Sequence, residues 1–150
     1  MSEMKIMLVD DEERFLSTTQ KLLARKGVDV VTATSGSEAL NKLHMENVHV
    51  VILDVKMPGM DGIATLKAIK EGYPLIEVIM LTGHATVESA VDGLKSGATD
   101  YLMKPTDIDE LVAKAEEAYA KRKVLEEKIR VVQSRVVQKS PLEIQKEIKR

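Results

Sequence analysis

Cysteine is absent from the 150-residue sequence, so the chain can form no disulfide, thiolate metal site or thiol nucleophile. Long apolar runs are missing too, and none approaches the roughly 20 residues that a membrane-spanning helix needs. The amino-terminal segment MSEMK also lacks the basic and then apolar pattern of a signal peptide. Together these absences predict a cytoplasmic protein that makes no contact with a membrane.

Charge is divided unevenly along the chain, although the formal net charge is only −2. Residues 1–120 contain twelve Lys/Arg and twenty Asp/Glu, whereas residues 121–150 contain ten Lys/Arg and four Asp/Glu. An acidic body is therefore followed by a basic tail. Such a tail is either a solvated helix or a contact surface for nucleic acid or a protein partner.

Short β-rich runs alternate with stretches of helical spacing. The predicted strands are Lys5–Val9, 28–32, 49–53, 77–81 and 101–103, and several are almost continuously apolar, as strands buried on both faces are. Five strand–helix units within about 120 residues predict an α/β fold of the flavodoxin-like, doubly wound (βα)5 class. Its parallel sheet has the order 2-1-3-4-5, and residues 1–120 form this domain.

Helix-end signals support the alternation. Gly27 is placed to end the first helix, since glycine readily adopts the left-handed conformation found there. Ser35 with Glu38 predicts a capping box for the second helix, and Asp107 with Glu110 marks the start of the fifth.

Polar residues follow four of the five predicted strands. Asp10 and Asp11 follow the first, Asp54 the third, Thr82 the fourth and Lys104 the fifth. The carboxyl ends of neighbouring parallel strands form one crevice, so these groups are expected to converge. Three carboxylates would repel one another, and Mg²⁺, which prefers oxygen ligands, removes the conflict. The lysine and the hydroxyl group then suit a phosphoryl group at the same site.

These motifs, taken together, resemble the receiver domain of two-component response regulators. The resemblance rests on the pair Asp10–Asp11, Asp54 followed by MPGMDG, Thr82, Tyr101 and the pair Lys104–Pro105, in family order over about residues 4–120. It implies a phosphoacceptor that signals through protein contacts, with only slow self-dephosphorylation, and hence not an enzyme. The implied phosphodonor is a sensor histidine kinase or a phosphotransfer protein.

The resemblance also implies a role for each site residue. Asp54 takes the phosphoryl group, and Asp11, Asp54 and the backbone carbonyl of Lys56 bind Mg²⁺, with Mn²⁺ as an alternative ion. Asp10 assists mainly through water. Lys56 and His84 either occupy positions that tune the lifetime of the acyl phosphate or simply belong to solvated loops.

A second set of implied roles concerns switching. Lys104 pairs with Asp54 or with phosphoryl oxygens, and Pro105 follows a cis peptide bond. Thr82 moves toward the phosphoryl group and Tyr101 turns inward behind it, which changes the face formed by helix four, strand five and helix five. Phe15 either packs inward or helps the first helix to dock a kinase.

The tail has a pattern of its own. Apolar residues step by four and three in an a/d heptad seam that is interrupted once, at Arg122. The seam consists of Leu111, Ala115, Ala118, Arg122, Leu125, Ile129, Val132 and Val136. It predicts that helix five continues to about Gln138, with a short last helix from about residue 141. Residues 121–150 then form a parallel coiled-coil homodimer, fold back on the domain, or dock a partner.

Three other functions compete with this one. A haloacid-dehalogenase-type phosphatase would need an Asp-x-Asp motif on strand one, but position 12 is Glu. Nucleic-acid binding through the basic tail is an unfavoured alternative. A flavin or nucleotide site is disfavoured because the loop after strand one is acidic and carries no Gly-rich motif. The chain could also be the receiver fragment of a longer transcriptional regulator.

Overall fold

The computed structural model describes residues 3–55, 61–83 and 87–138, and within them five strands form one parallel sheet. The strands are β1 Lys5–Val9, β2 Asp29–Ala33, β3 Val50–Leu53, β4 Glu77–Thr82 and β5 Asp100–Met103. They lie side by side in the order β2-β1-β3-β4-β5, which confirms the predicted flavodoxin-like order. Register is regular along the central pair, where Ile6 lies opposite Val50 and Val9 opposite Leu53.

Five helices connect and cover these strands. They are α1 Glu13–Arg25, α2 Gly36–Leu43, α3 Gly62–Gly72, α4 Val87–Lys95 and α5 Ile108–Gln138. The chain therefore alternates strand and helix five times, as predicted. Among the described residues, no helix is long and apolar enough to cross a membrane.

Two apolar cores lie on opposite faces of the sheet, because successive strand side chains point to opposite sides. Ile6 and Leu8 of β1 pack with residues of α1 and α5, such as Leu23 and Leu111. Met7 on the same strand packs into the other core, which contains residues of α2 and α3. This two-sided burial explains why β1, β3 and β4 are almost entirely apolar.

The end of α1 determines where β2 begins. Gly27 has a φ of +80° and donates to the carbonyl of Ala24, while Val28 donates to the carbonyl of Leu23. This pair of hydrogen bonds is a Schellman motif, and glycine suits it because it tolerates positive φ. Val28 is thus part of the helix end, and β2 starts one residue later than predicted.

The start of α2 differs in one detail from a capping box. Ser35 accepts a hydrogen bond from the backbone N–H of Glu38, as predicted. The Glu38 carboxylate, however, accepts hydrogen bonds from the backbone N–H of Thr34 at 3.3 Å and from the Thr34 hydroxyl at 2.7 Å. Glu38 therefore stabilises the turn before the helix, and these bonds lower its pKa from the ordinary value.

Helix α5 extends well beyond the sheet. Its first turns bury Leu111, Ala115 and Ala118 against the core. At a rise of about 1.5 Å per residue, 31 residues give a helix roughly 46 Å long. The helix reaches Gln138, as predicted, and the short helix expected from about residue 141 lies outside the described residues.

Candidate functional site

The carboxyl ends of β1, β3 and β5 place the site residues side by side. The backbone N–H of Asp10 donates to Ala33 at 3.1 Å, and that of Asp54 donates to the carbonyl of Val9 at 2.9 Å. Lys104 donates in the same way to the carbonyl of Thr82, also at 2.9 Å. These bonds continue the sheet ladder by one residue, so the backbone positions of the three residues are fixed by the sheet.

Three carboxylates form a cluster at this edge. One oxygen each from Asp10, Asp11 and Asp54 lies within 4.8 Å of the others. Asp10 is only 2% exposed and Asp54 7%, whereas Asp11 faces solvent. Buried like charges at this spacing repel unless a cation offsets them. The all-oxygen set, open to solvent on the side of Asp11, fits a hard divalent ion that keeps part of its water shell.

Lys104 supplies a positive charge inside the cluster. Its ammonium group pairs most closely with Asp10 and lies 3.9 Å from Asp54 and 3.8 Å from Glu12. The resemblance implied that Lys104 pairs with Asp54 or with phosphoryl oxygens. In the structure the carboxylate nearest to Lys104 is that of Asp10, which is buried and therefore needs a countercharge. The peptide bond between Lys104 and Pro105 is cis.

Phe15 lies beside the same ammonium group. The Nζ atom of Lys104 sits 4.1 Å above the centroid of its ring, which is within the range of a cation–π contact. The half-buried ring also packs against the core on the α1 side of the sheet. Phe15 thus packs inward and contacts the site lysine.

Thr82 and Tyr101 lie on the neighbouring strands β4 and β5. Thr82 ends β4 and is fully buried. Tyr101 packs against the core, and its hydroxyl lies 3.2 Å from the hydroxyl of Ser89 on α4. Tyr101 therefore links β5 to α4, a contact that the sequence did not predict because Ser89 has no marked local pattern.

Gly62 is a second residue that sequence reasoning gave no role. A Cβ atom at this position would lie 2.7 Å from the carbonyl oxygen of Asp54 and 2.5 Å from the Cα of Val55. The start of α3 can therefore approach the Asp54 backbone only with glycine here. Asp61 caps the helix, because its carboxylate accepts a hydrogen bond from the N–H of Ile63 at 2.8 Å.

Two predicted site residues lie outside the described residues, and one histidine lies far from the site. Lys56, whose carbonyl was expected to bind the metal, and His84, expected to tune lifetime, are both outside them. His49 lies near the start of β3, at the opposite edge of the sheet, where its Nδ1 accepts the N–H of Lys5 at 3.0 Å. Burial lowers the pKa of His49 from its ordinary 6.5, and the charge of Arg122 lowers it further.

Comparison with known proteins extends over most of the chain. The family described as "Response regulator receiver domain" matches residues 6–116. The transcriptional regulatory protein ZraR of Escherichia coli K12 is 45% identical over 115 residues, which are 77% of this chain and 26% of that protein. The chain thus spans about a quarter of the length of the curated relatives it matches.

Solved structures agree with the sequence relatives. A CheY-like receiver domain protein from Methanospirillum hungatei superposes with a TM-score of 0.77 at 32% identity, covering 81% of this chain and 98% of that one. NtrX from Brucella abortus gives a TM-score of 0.78 at 32% identity, covering 85% of this chain and 29% of that one.

Proposed function

Because the chain belongs to the family of response regulator receiver domains, we propose that Asp54 accepts a phosphoryl group from a phosphohistidine. The donor is a sensor histidine kinase or a phosphotransfer protein. The observation that carries the proposal is the arrangement of the site: three carboxylates within 4.8 Å of one another, with the Lys104 ammonium 3.9 Å from Asp54. This arrangement combines a nucleophile, a set of oxygen ligands and a cation for phosphoryl oxygens.

The chemistry uses the Asp54 carboxylate as nucleophile. One carboxylate oxygen attacks phosphorus as the bond from phosphorus to the imidazole nitrogen breaks, and the imidazole leaves with the electron pair and takes up a proton. Lys104 is close enough to stabilise charge on the phosphoryl oxygens. Mg²⁺, held by Asp11, Asp54 and the Lys56 carbonyl, with Asp10 assisting mainly through water, would offset the charge of the carboxylates and of the incoming phosphoryl group.

The proposed output is a change of the face formed by α4, β5 and α5. Thr82 ends β4 and is buried. We expect its hydroxyl to move toward the phosphoryl group and Tyr101 on β5 to respond. Two contacts support coupling across this face: Tyr101 to Ser89 on α4, and Asp100 to Lys114 on α5 at 3.0 Å. Phosphorylation adds charge next to Thr82 and Lys104, so it can shift the balance between two arrangements of these contacts.

The same face exposes apolar side chains. Val91 and Leu94 of α4 are 41% and 49% exposed, and Met103 of β5 is 58% exposed. Exposed apolar side chains on one face favour protein contacts. A protein target on this face is therefore consistent with a switch that is not itself an enzyme.

A small-molecule phosphodonor tests the proposal without a cognate kinase. The chain is incubated with phosphoramidate and Mg²⁺, and its intact mass is measured. We expect a gain of one phosphoryl group that is lost in Asp54→Asn and that requires a divalent ion. An unchanged mass in the wild type, or an equal gain in Asp54→Asn, would refute the assignment of Asp54.

The second proposal concerns a homodimer through α5. Beyond Arg122 the seam residues Leu125, Ile129, Val132 and Val136 are between 38% and 58% exposed, so the domain does not cover them. Arg122 itself contacts the domain, because its guanidinium group donates a hydrogen bond to the carbonyl of Val48 at 3.0 Å. A second copy of the same helix would bury the four apolar residues.

Charges beside the seam favour a parallel pair. In a parallel arrangement Lys121, at a g position, meets Glu126 of the second copy, at an e position, which is an attractive pair. In an antiparallel arrangement the g positions Lys121, Lys128 and Arg135 would face one another and repel. Ile129 and Val136 at a positions with Leu125 at d also favour two strands.

The third proposal is that this receiver belongs to a longer regulator. The chain spans about a quarter of ZraR, which is named a transcriptional regulatory protein, and of NtrC of Escherichia coli K12, which is named a DNA-binding transcriptional regulator. Nucleic-acid contact would then belong to the whole regulator more than to the basic tail. If the tail bound DNA directly, binding would disappear on removing residues 121–150 and would weaken steeply with salt.

A further inference from the structure

Phe15 is the only phenylalanine of the chain, and it lies where the site lysine must be held. It sits in the first turn of α1 and shares a small crevice with Asp10 and Asp54. The ammonium group of Lys104 is 4.1 Å from the centre of its ring. The ring is thus a fourth neighbour of an ammonium group that also faces Asp10, Glu12 and Asp54.

The attraction of a cation to an aromatic face differs from its attraction to a carboxylate in its range of allowed positions. The attraction acts over the whole face, to about 6 Å from the ring centre, and needs no hydrogen-bond direction. It is also stronger where water is excluded, and the Lys104 side chain is only 16% exposed. Lys104 can therefore move between Asp10 and Asp54 while it stays above the same ring.

We propose that Phe15 is a positioning residue for phosphoryl transfer, whose ring keeps the Lys104 ammonium within reach of Asp54. The inference rests on the proposed function, in which Lys104 stabilises charge on the phosphoryl oxygens, and it adds that the ammonium group is released from Asp10 to do so. Without the ring, the released ammonium would be free to turn toward Glu12 and solvent. A leucine would fill much of the space but offers no such face.

Kinetics with phosphoramidate separate this role from kinase docking, because a small donor needs no docking surface. Phe15→Leu is expected to lower the rate constant of phosphorylation about five- to tenfold, in line with the loss of a partly desolvated cation–π contact. Phe15→Tyr keeps the ring and is expected to restore the rate to within about twofold. Thermal unfolding of both variants shows whether either has lost its fold.

A double-mutant cycle links the effect to Lys104. In a Lys104→Ala background, Phe15→Leu should produce no further loss, because the partner of the ring is gone. An equal loss in both backgrounds, or a rate for Phe15→Leu equal to that of the wild type, would overturn the proposal. A loss seen only with a histidine kinase as donor would assign Phe15 to docking instead.

An NMR measurement tests the contact independently of phosphorylation. The ring current of Phe15 should shift the Lys104 Hε protons upfield of those of the other lysines, and Phe15→Leu should remove that shift while Phe15→Tyr keeps it. If the Hε shift is present but the wild type takes no phosphoryl group, the proposed function fails and the contact stands. If the shift is absent, the positioning role fails even when Asp54 is phosphorylated.

Discussion

Gly62 shows how one residue without a side chain can support a site. Replacing it with alanine would put a Cβ atom 2.7 Å from the carbonyl oxygen of Asp54 and 2.5 Å from the Cα of Val55. Both of these neighbours are backbone atoms, which cannot turn away as a flexible side chain can. We expect Gly62→Ala to reduce the free energy of unfolding by about 1–3 kcal/mol through overpacking. Urea denaturation measures the change.

The matched control is Gly72→Ala at the other end of α3. A Cβ atom there meets nothing within 4 Å, so this variant should be neutral or slightly stabilising. An equal loss of stability in both variants would show that glycine is needed in helix α3 generally, and that the close approach of Gly62 to Asp54 is not the reason.

His49 gives the chain a pH-dependent contribution to stability. Its pKa in the folded state is lowered from 6.5 by burial and by the charge of Arg122, so the folded protein favours the neutral ring. A folded-state pKa below the unfolded value means that stability increases with pH below about 6.5 and is lost on acidification. Protonation of Nδ1 would also remove the acceptor for the N–H of Lys5.

Urea denaturation at pH 7.5 and pH 5.5 measures this contribution. The wild type should lose more stability between the two values than His49→Gln does, since other titrating groups are common to both proteins. An equal loss in the two proteins would contradict the assignment to His49.

At the scale of elements, the contact between α4 and β5 is the part of the proposed switch that can be altered alone. Ser89→Ala removes the hydroxyl that lies 3.2 Å from the Tyr101 hydroxyl. If this contact favours the unphosphorylated arrangement, its loss should increase the affinity for beryllofluoride about two- to tenfold, the range expected for one hydrogen bond. Binding is measured by titration in the presence of Mg²⁺.

Ser37→Ala on α2 is the control, because Ser37 is an exposed serine of another helix. An affinity unchanged in Ser89→Ala, or raised equally in both variants, would mean that the Tyr101–Ser89 contact does not bias the switch.

Elements were predictable because their signals are local. Strands could be predicted from apolar runs such as Val50–Leu53. The end of α1 could be predicted from Gly27 and the start of α2 from Ser35, and the structure confirms both. The contacts that could not be predicted join residues far apart in sequence: the start of α3 to the Asp54 backbone, and Ser89 to Tyr101. The hydrogen bonds from Thr34 to the Glu38 carboxylate were not predicted for a different reason. Thr34 and Ser35 both have an N–H near this carboxylate, and the path of the backbone decides which one donates to it.

The site itself was partly predictable for a topological reason. Parallel strands bring their carboxyl ends to one edge, so strand order alone placed Asp10, Asp54 and Lys104 together. Side-chain pairing within the cluster depends on distances below 4 Å, which strand order does not give. The preference of Lys104 for Asp10 and the ring of Phe15 above it therefore emerged only from the structure.

At the scale of the whole molecule, the exposed half of α5 predicts self-association. Ile129→Asp places a charge in the middle of the seam, whereas Val131→Asp places one on an exposed position outside it, since Val131 is 41% exposed at a c position. We expect the wild type and Val131→Asp to be dimers and Ile129→Asp to be a monomer, because a buried unpaired charge opposes the pairing.

Light scattering at several concentrations measures the masses. A monomeric wild type would contradict the dimer, whereas an Ile129→Asp variant that stays dimeric would contradict the α5 seam as its interface. The second result would move the interface to another surface, such as the exposed apolar residues of α4 and β5.

The central claim is that the phosphoryl group is carried by Asp54, and chemical mapping of the modified residue tests it most directly. Borohydride reduces an aspartyl phosphate to homoserine, which then marks the modified position in a peptide digest. After treatment with phosphoramidate and Mg²⁺, homoserine should appear at position 54 and at no other aspartate. Homoserine at position 10 or 11, or its absence from a protein that has gained a phosphoryl group, would contradict the account.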